Sequence, residues 1–306
     1  MNRHWNAHCV LSLVHFMAYP ECQSGEGPIL ESVARIAEDD FFSGIEISRI
    51  NDDQTLKQVA DLLAQTHMQV AFGAQPVILG GKLNLNSADK AERSHAVNAV
   101  ASQIQRAVDL GADRFVILSG HDSPENERAK ATEFLIESIL SLCAIASQSG
   151  IHISLETFDR AVDKRALIGP ADEASALAAQ IRNEFPDFGI LYDMGHMPLL
   201  DETPDSALYE LKPYLVHVHV GNCVKIAGRP SYGDLHPRFG FPGGENDVPQ
   251  LIEFLRTLFD IGYLQEEPPP GPLPWVGFEM RPQAGETSAA ILANLKRTWN
   301  EAWWRA

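Results

Sequence analysis

Cysteine is scarce in this 306-residue chain: four occur, Cys9, Cys22, Cys143 and Cys223, and no two form a C-x-x-C pair. That spacing supports neither a disulfide framework nor a structural zinc knot, and it suits a reducing cytoplasm. Basic residues are also few. The 24 Lys and Arg stand against 41 Asp and Glu, a formal charge of −17, so the averaged surface field repels phosphate backbones and acidic lipid headgroups. Neither nucleic acid nor a membrane is expected as a partner. Long apolar runs are missing too, since none reaches the roughly 18 uninterrupted apolar residues that a spanning helix needs. The segment 9–19 is broken by Ser12 and His15 and lacks a basic leader and a small-residue cleavage site, so it reads as a strand rather than a signal peptide. What is present is a 45% hydrophobic chain, enough for a sizeable packed core and expected to be soluble.

Short runs of β-branched and aromatic residues alternate with longer stretches of helical period. The runs lie at 10–16, 44–48, 68–72, 114–118, 151–155, 188–192, 215–220 and 275–278. Helical segments fall at 29–38, 53–66, 88–110, 124–149, 171–184, 204–211, 247–261 and 287–303. Ser123 before Pro124 reads as an N-cap with proline at the first helical position, and Gly111 and Gly150 stand just past helix ends. Strand and helix repeated eight times predicts an α/β fold, the (β/α)8 TIM barrel. A doubly wound sheet is the rival, but Tyr19-Pro20-Glu21-Cys22 stands where its glycine-rich dinucleotide turn would be. No linker divides the chain, which reads as one domain over 1–306 with a long top-face loop at 221–246; the proline-rich stretch 265–274 would lie on the opposite face.

The late strands end on ligand-type side chains. ISLE closes at Glu156, ILYD at Asp193 and VGFE at Glu279, and VHVH carries His219 near its end. Acidic residues are depleted in strands, and burying several carboxylates together is costly unless a cation or protons compensate. Converging at one barrel mouth, Glu156, Asp193, His219 and Glu279 would form an oxygen-rich site for one divalent ion. Mn²⁺ or Mg²⁺ suits it best, with Co²⁺ or Zn²⁺ as alternatives. His217, two residues before His219 on the same strand face, is expected a layer deeper in the packed interior, and His15 is expected to be a satisfied interior side chain.

The motifs LETFD (155–159), YDMGHM (192–197), HVHVGN (217–222) and FEMR (278–281) resemble those of the xylose-isomerase-like TIM-barrel superfamily. That group includes ketose 3-epimerases, hydroxypyruvate isomerase, inosose dehydratase and endonuclease IV. The resemblance implies that Glu156, Asp193, His219 and Glu279 bind one divalent ion and that His196 contacts substrate. It also marks departures. The epimerases usually follow the His of strand seven with Gly-Glu and carry an Arg six residues beyond it, whereas this chain has Gly221-Asn222 and Lys225. Asp234 and His236 resemble the pair that, with the counterpart of His196, holds an additional zinc in endonuclease IV. The strand-three His of that nuclease is replaced by the Ala71-Phe72-Gly73-Ala74 region, and the acidic charge is hostile to a DNA groove.

Lys225, Asp234, His236 and Arg238 in the long loop, with His196 and Arg281, are therefore candidate substrate contacts; Asp234 and His236 also fit an ordinary polar loop. His121, after the fourth strand, reads equally as a general base or as part of the turn into the next helix. The expected activity is metal-dependent isomerisation or epimerisation of a keto sugar through an enediolate, with Glu156 and Glu279 moving protons. The same enediolate can instead eliminate water or an aglycone from a 3-keto-glycoside or keto-polyol. Relatives of that kind work with a small partner chain, so either a homo-oligomer or a hetero-oligomer with such a chain is expected, acting on a small-molecule carbohydrate.

Overall fold

A computed structural model describes residues 4–267, 269 and 271–306; Pro268 and Pro270 of the proline-rich stretch lie outside the described residues, as do the first three. Eight parallel strands close into a barrel in chain order: β1 (Val10–Val14), β2 (Gly44–Ile47), β3 (Gln69–Gly73), β4 (Arg114–Leu118), β5 (His152–Glu156), β6 (Gly189–Asp193), β7 (Leu215–Gly221) and β8 (Trp275–Glu279). The ring closes where β8 pairs with β1, from Val10 opposite Trp275 to Leu13 opposite Phe278. Nearly every strand residue is buried, as expected for a sheet covered by helices outside and filled inside. No helix among the described residues is long and apolar enough to cross a membrane.

Helix starts follow their capping residues. Asp52 accepts the Thr55 N–H at 2.7 Å ahead of the helix Asp53–Gln65, and Thr287 accepts that of Ala290 ahead of Ser288–Arg305. Three expectations shift. The first strand stops at Val14, and His15–Ala18 turns into a helix that carries His15 inward, its Nε2 2.8 Å from Ser32 Oγ. The helix expected over 88–110 is two, Lys90–Ala101 and Ile104–Asp109, because Ser102 Oγ turns back to the Ala99 carbonyl at 2.7 Å and competes with the helical ladder. Pro124 is extended, so the next helix begins at Glu125, and it is Asp122, not Ser123, that braces the entry by gripping Arg128 through both carboxylate oxygens. The last helix packs Trp299 and Trp303 against the chain's own barrel, with Trp299 edge-on to Phe278, and leaves Trp304 exposed.

Candidate metal centre

The strand register brings the ligand-type residues together. Asp193 lies opposite His219 across β6 and β7, and His219 lies opposite Gly277 across β7 and β8. One ligand atom from each of Glu156, Asp193, His219 and Glu279 falls within 4.8 Å of the others, all four side chains buried. His219 Nδ1 stands 2.7 Å from Glu279 Oε2 and 3.4 Å from Glu156 Oε1. The glycines at the mouth permit this approach: a Cβ on Gly221 would sit 2.8 Å from the Glu279 carbonyl oxygen and 3.2 Å from His236 Nδ1.

The donor set fits a cation. Glu156 Oε1 and Asp193 Oδ2 are buried oxygens with no hydrogen-bond partner among the described residues, a costly condition that a positive ion would relieve. Protons mark the same demand. Burial pulls the His219 imidazole down, but the carboxylates of Glu46, Glu156 and Glu279 around it outweigh this and lift it well above the ordinary histidine range. Burial raises the Asp193 carboxyl, with His196 and His236 opposing.

A second group adjoins the first. Asp193, His196 and His236 also bring one ligand atom each within 4.8 Å of one another. His196 Nδ1 is 2.7 Å from the Thr157 carbonyl, which leaves Nε2 3.1 Å from Asp234 Oδ1; His236 Nε2 lies 2.7 Å from the same oxygen. Burial would raise Asp234, yet His196, His236 and Lys164 hold its carboxyl well below the usual range. Burial lowers His236, but chiefly Asp234 and Glu279 push it up to about 9. His236 adopts a left-handed backbone, φ 47°, strain of a kind that collects at functional sites.

A cavity of about 120 Å³ opens at Glu279, lined by the apolar Phe16, Met17 and Leu79 and by the polar Lys164, Asp234, His236 and Arg281. Glu279 thus faces the cavity, while Glu156 lies deeper, with Oε2 accepting from Gln75 Nε2 at 2.6 Å. A wider hollow of about 310 Å³ beside Arg114, His152 and Arg182 lies at the strand starts, away from the cluster.

Other expected site residues are not brought to this cavity. Lys225 pairs with Asp201, and Arg238 is held by Glu286, with Nε 2.9 Å from Oε1, and by the Phe239 and Gly240 carbonyls. His121 is exposed, and its backbone forms an antiparallel bridge with Ala166. Asn222, where the epimerases usually have Glu, is fully buried: its Oδ1 accepts from the Cys223 and Asn246 N–H groups and its Nδ2 donates to the Arg238 carbonyl. Asn246 in turn donates to the Met194 and Gly221 carbonyls, stapling the long loop to the strand ends.

Sequence reasoning overlooked Glu46, Gln75 and Lys164. Glu46 carried a signal, being an acid inside the buried run GIEI of β2, and its Oε2 lies 2.8 Å from His219 Nε2. Gln75 and Lys164 come from the segments after β3 and β5 and carried none. Lys164 Nζ lies 2.9 Å from both Asp163 Oδ2 and Asp234 Oδ2; burial lowers its ammonium, and these two acids raise it further than burial lowers it.

No curated protein matches the chain in sequence. Among solved structures, D-psicose 3-epimerase from Clostridium cellulolyticum H10, solved with D-tagatose, superposes with a TM-score of 0.67 at 19% identity, over 97% of this chain and 96% of that one. The IolI protein with a bound zinc atom gives 0.69 at 15% identity, over 97% and 99%. The 3-keto-D-glucoside 4-epimerase YcjR from E. coli gives 0.65 at 15%, over 95% and 98%. At such identities the likeness is one of fold. A family model described as xylose isomerase-like TIM barrel matches residues 33–290, and with the barrel closed strand by strand in chain order the chain belongs to that family.

Proposed function

We propose that this protein is a divalent-metal-dependent isomerase or epimerase of a keto sugar or sugar derivative. The convergence of Glu156, Asp193, His219 and Glu279 on one point beneath a cavity carries the reading. Three carboxylates and one imidazole favour Mn²⁺ or Mg²⁺. Bound there, the ion supplies a Lewis acid that polarises a carbonyl and steadies the negative charge developing on its oxygen. Glu279, open to the cavity, takes the proton from the carbon beside the carbonyl. Glu156, held in place by Gln75, returns a proton at the opposite face or at the neighbouring carbon. Arg281 and Lys164 border the space and would orient hydroxyl or anionic groups. The likeness in fold to D-psicose 3-epimerase and to 3-keto-D-glucoside 4-epimerase supports the substrate class.

The test is solvent-deuterium incorporation next to the carbonyl with Mn²⁺ present. Glu156→Gln and Glu279→Gln should each abolish it, and undiminished exchange in both overturns the assignment. A second reading, elimination from a 3-keto-glycoside, is favoured by the apolar rim: Leu79 and Leu235 line the cavity and are 39% and 40% exposed, a surface suited to an aglycone. Released aglycone, with or without a small partner chain, would select it; an isomeric sugar alone would select epimerisation.

A further inference from the structure

We propose that Glu46 is a positioning residue of the metal centre, holding the His219 ring so that Nδ1 points into the ligand set. The inference rests on the metal reading above. Glu46 sits in β2, 2% exposed, and touches neither the cavity nor the other carboxylates of the cluster. Its Oε2 lies 2.8 Å from His219 Nε2, and its Oε1 accepts the Ser12 hydroxyl at 2.6 Å. The opposite ring nitrogen, Nδ1, faces Glu279 and Glu156. One imidazole thus has both nitrogens committed, one to a carboxylate beneath it and one to the cluster. A ligating histidine commonly donates its other N–H to a carboxylate, which fixes ring orientation and strengthens the ligand.

Two further observations support this role. Among the described residues its ion partners are His217 and His219 alone, and no Lys or Arg compensates its burial. An aliphatic side chain would fill that layer of the barrel at far lower cost. Strand β8 also makes room for it: a Cβ on Gly277 would lie 2.2 Å from Glu46 Oε1, 2.9 Å from Ser12 Oγ and 2.8 Å from His219 Cδ2. Glu46, His217 and His219 also bring one ligand atom each within 4.8 Å of the others. Ser12 and His219 already engage both Glu46 oxygens, however, so the carboxylate is read as an acceptor and not as a ligand.

The experiment is titration of the wild-type protein and of Glu46→Ala, Glu46→Gln and Ser12→Ala with Mn²⁺, alongside NMR of the His219 ring in the ion-free protein. Glu46→Ala should weaken Mn²⁺ binding by about 10–100-fold, and Glu46→Gln, which keeps an acceptor, should restore part of the loss. The His219 Nε2 proton should be downfield and slow to exchange in the wild type and lose both properties in Glu46→Ala. Should that variant not fold, Glu46→Gln and Ser12→Ala provide the same comparison. Unchanged affinity with an unchanged Nε2 proton overturns the proposal, and so does a second Mn²⁺ per chain that vanishes with Glu46. If the wild type binds no Mn²⁺, it is the metal reading that fails, and the ion-free proton still reports whether Glu46 holds the ring.

Discussion

Replacing Gly277 by alanine should weaken the metal centre from behind while leaving all four ligand residues in the sequence. The added methyl would stand 2.2 Å from a Glu46 oxygen and under 3.0 Å from both His219 and Ser12. None of the three can retreat into solvent, because each is almost wholly buried. Glu46 must therefore move by roughly an ångström, and its hydrogen bond to His219 stretches out of range. Overpacking of this kind costs about 1–3 kcal/mol, and loss of a charge-assisted bond about 1.5–3 kcal/mol more. A Mn²⁺ titration should show affinity reduced by about 10–100-fold, and denaturant unfolding without metal should show a lower midpoint. Gly189→Ala is the control. Its methyl would strike the Val216 side chain, 2.3–2.8 Å away at the starts of β6 and β7, so it should lower stability and leave Mn²⁺ affinity within about twofold of wild type. A Gly277→Ala protein that binds Mn²⁺ like wild type while losing the same stability as Gly189→Ala would refute the reasoning.

Chelation should destabilise the loaded protein; at 100 times Kd a single bound ion contributes about 2.7 kcal/mol, and a melting temperature indifferent to Mn²⁺ and EDTA would argue that no ion binds the folded state. In metal-free protein the His236 pKa lies above its unfolded value, at about 9, so its contribution is complete below about pH 6.5 and disappears as pH rises through 9. Stability in EDTA should accordingly fall over that window by on the order of 3 kcal/mol from this group, and His236→Asn should flatten the fall in denaturant midpoints measured against pH. Asn222→Ala should leave the Cys223 and Asn246 N–H groups and the Arg238 carbonyl without a partner. A loss of about 2–4 kcal/mol, with faster proteolysis confined to 221–246, is expected; an unaltered cleavage pattern would show that Asn222 does not anchor the loop.

Strand periodicity made the barrel legible, because parallel strands covered on both sides show as short continuous apolar runs between helical segments. Glu156, Asp193 and Glu279 were visible as acids where strands end, and His219 through the two-residue period that separates it from His217. Glu46 is equally visible as an acid in an apolar run, but it lies inside an early strand rather than at the end of a late one, where the ligand-type residues cluster. The remainder depended on loop paths, which carry no period. Gln75 and Lys164 reach the cluster through such paths, while Lys225 and Arg238, in a loop of suggestive composition, settle on Asp201 and Glu286. The break after Ala101 escaped notice because a serine hydroxyl bonding back to its own turn leaves the apolar pattern intact.

The contact between Lys164 and Asp234 joins segments 70 residues apart in sequence. It couples them mechanically. Should the mouth widen on that side, either the ammonium and the carboxylate part, at an electrostatic expense, or both segments swing as one body with the pair intact. The second route would carry Asp234 away from His196 and His236 in the same motion, at an expense of the same kind. Opening of the rim and loosening of those two imidazoles would then be a single event.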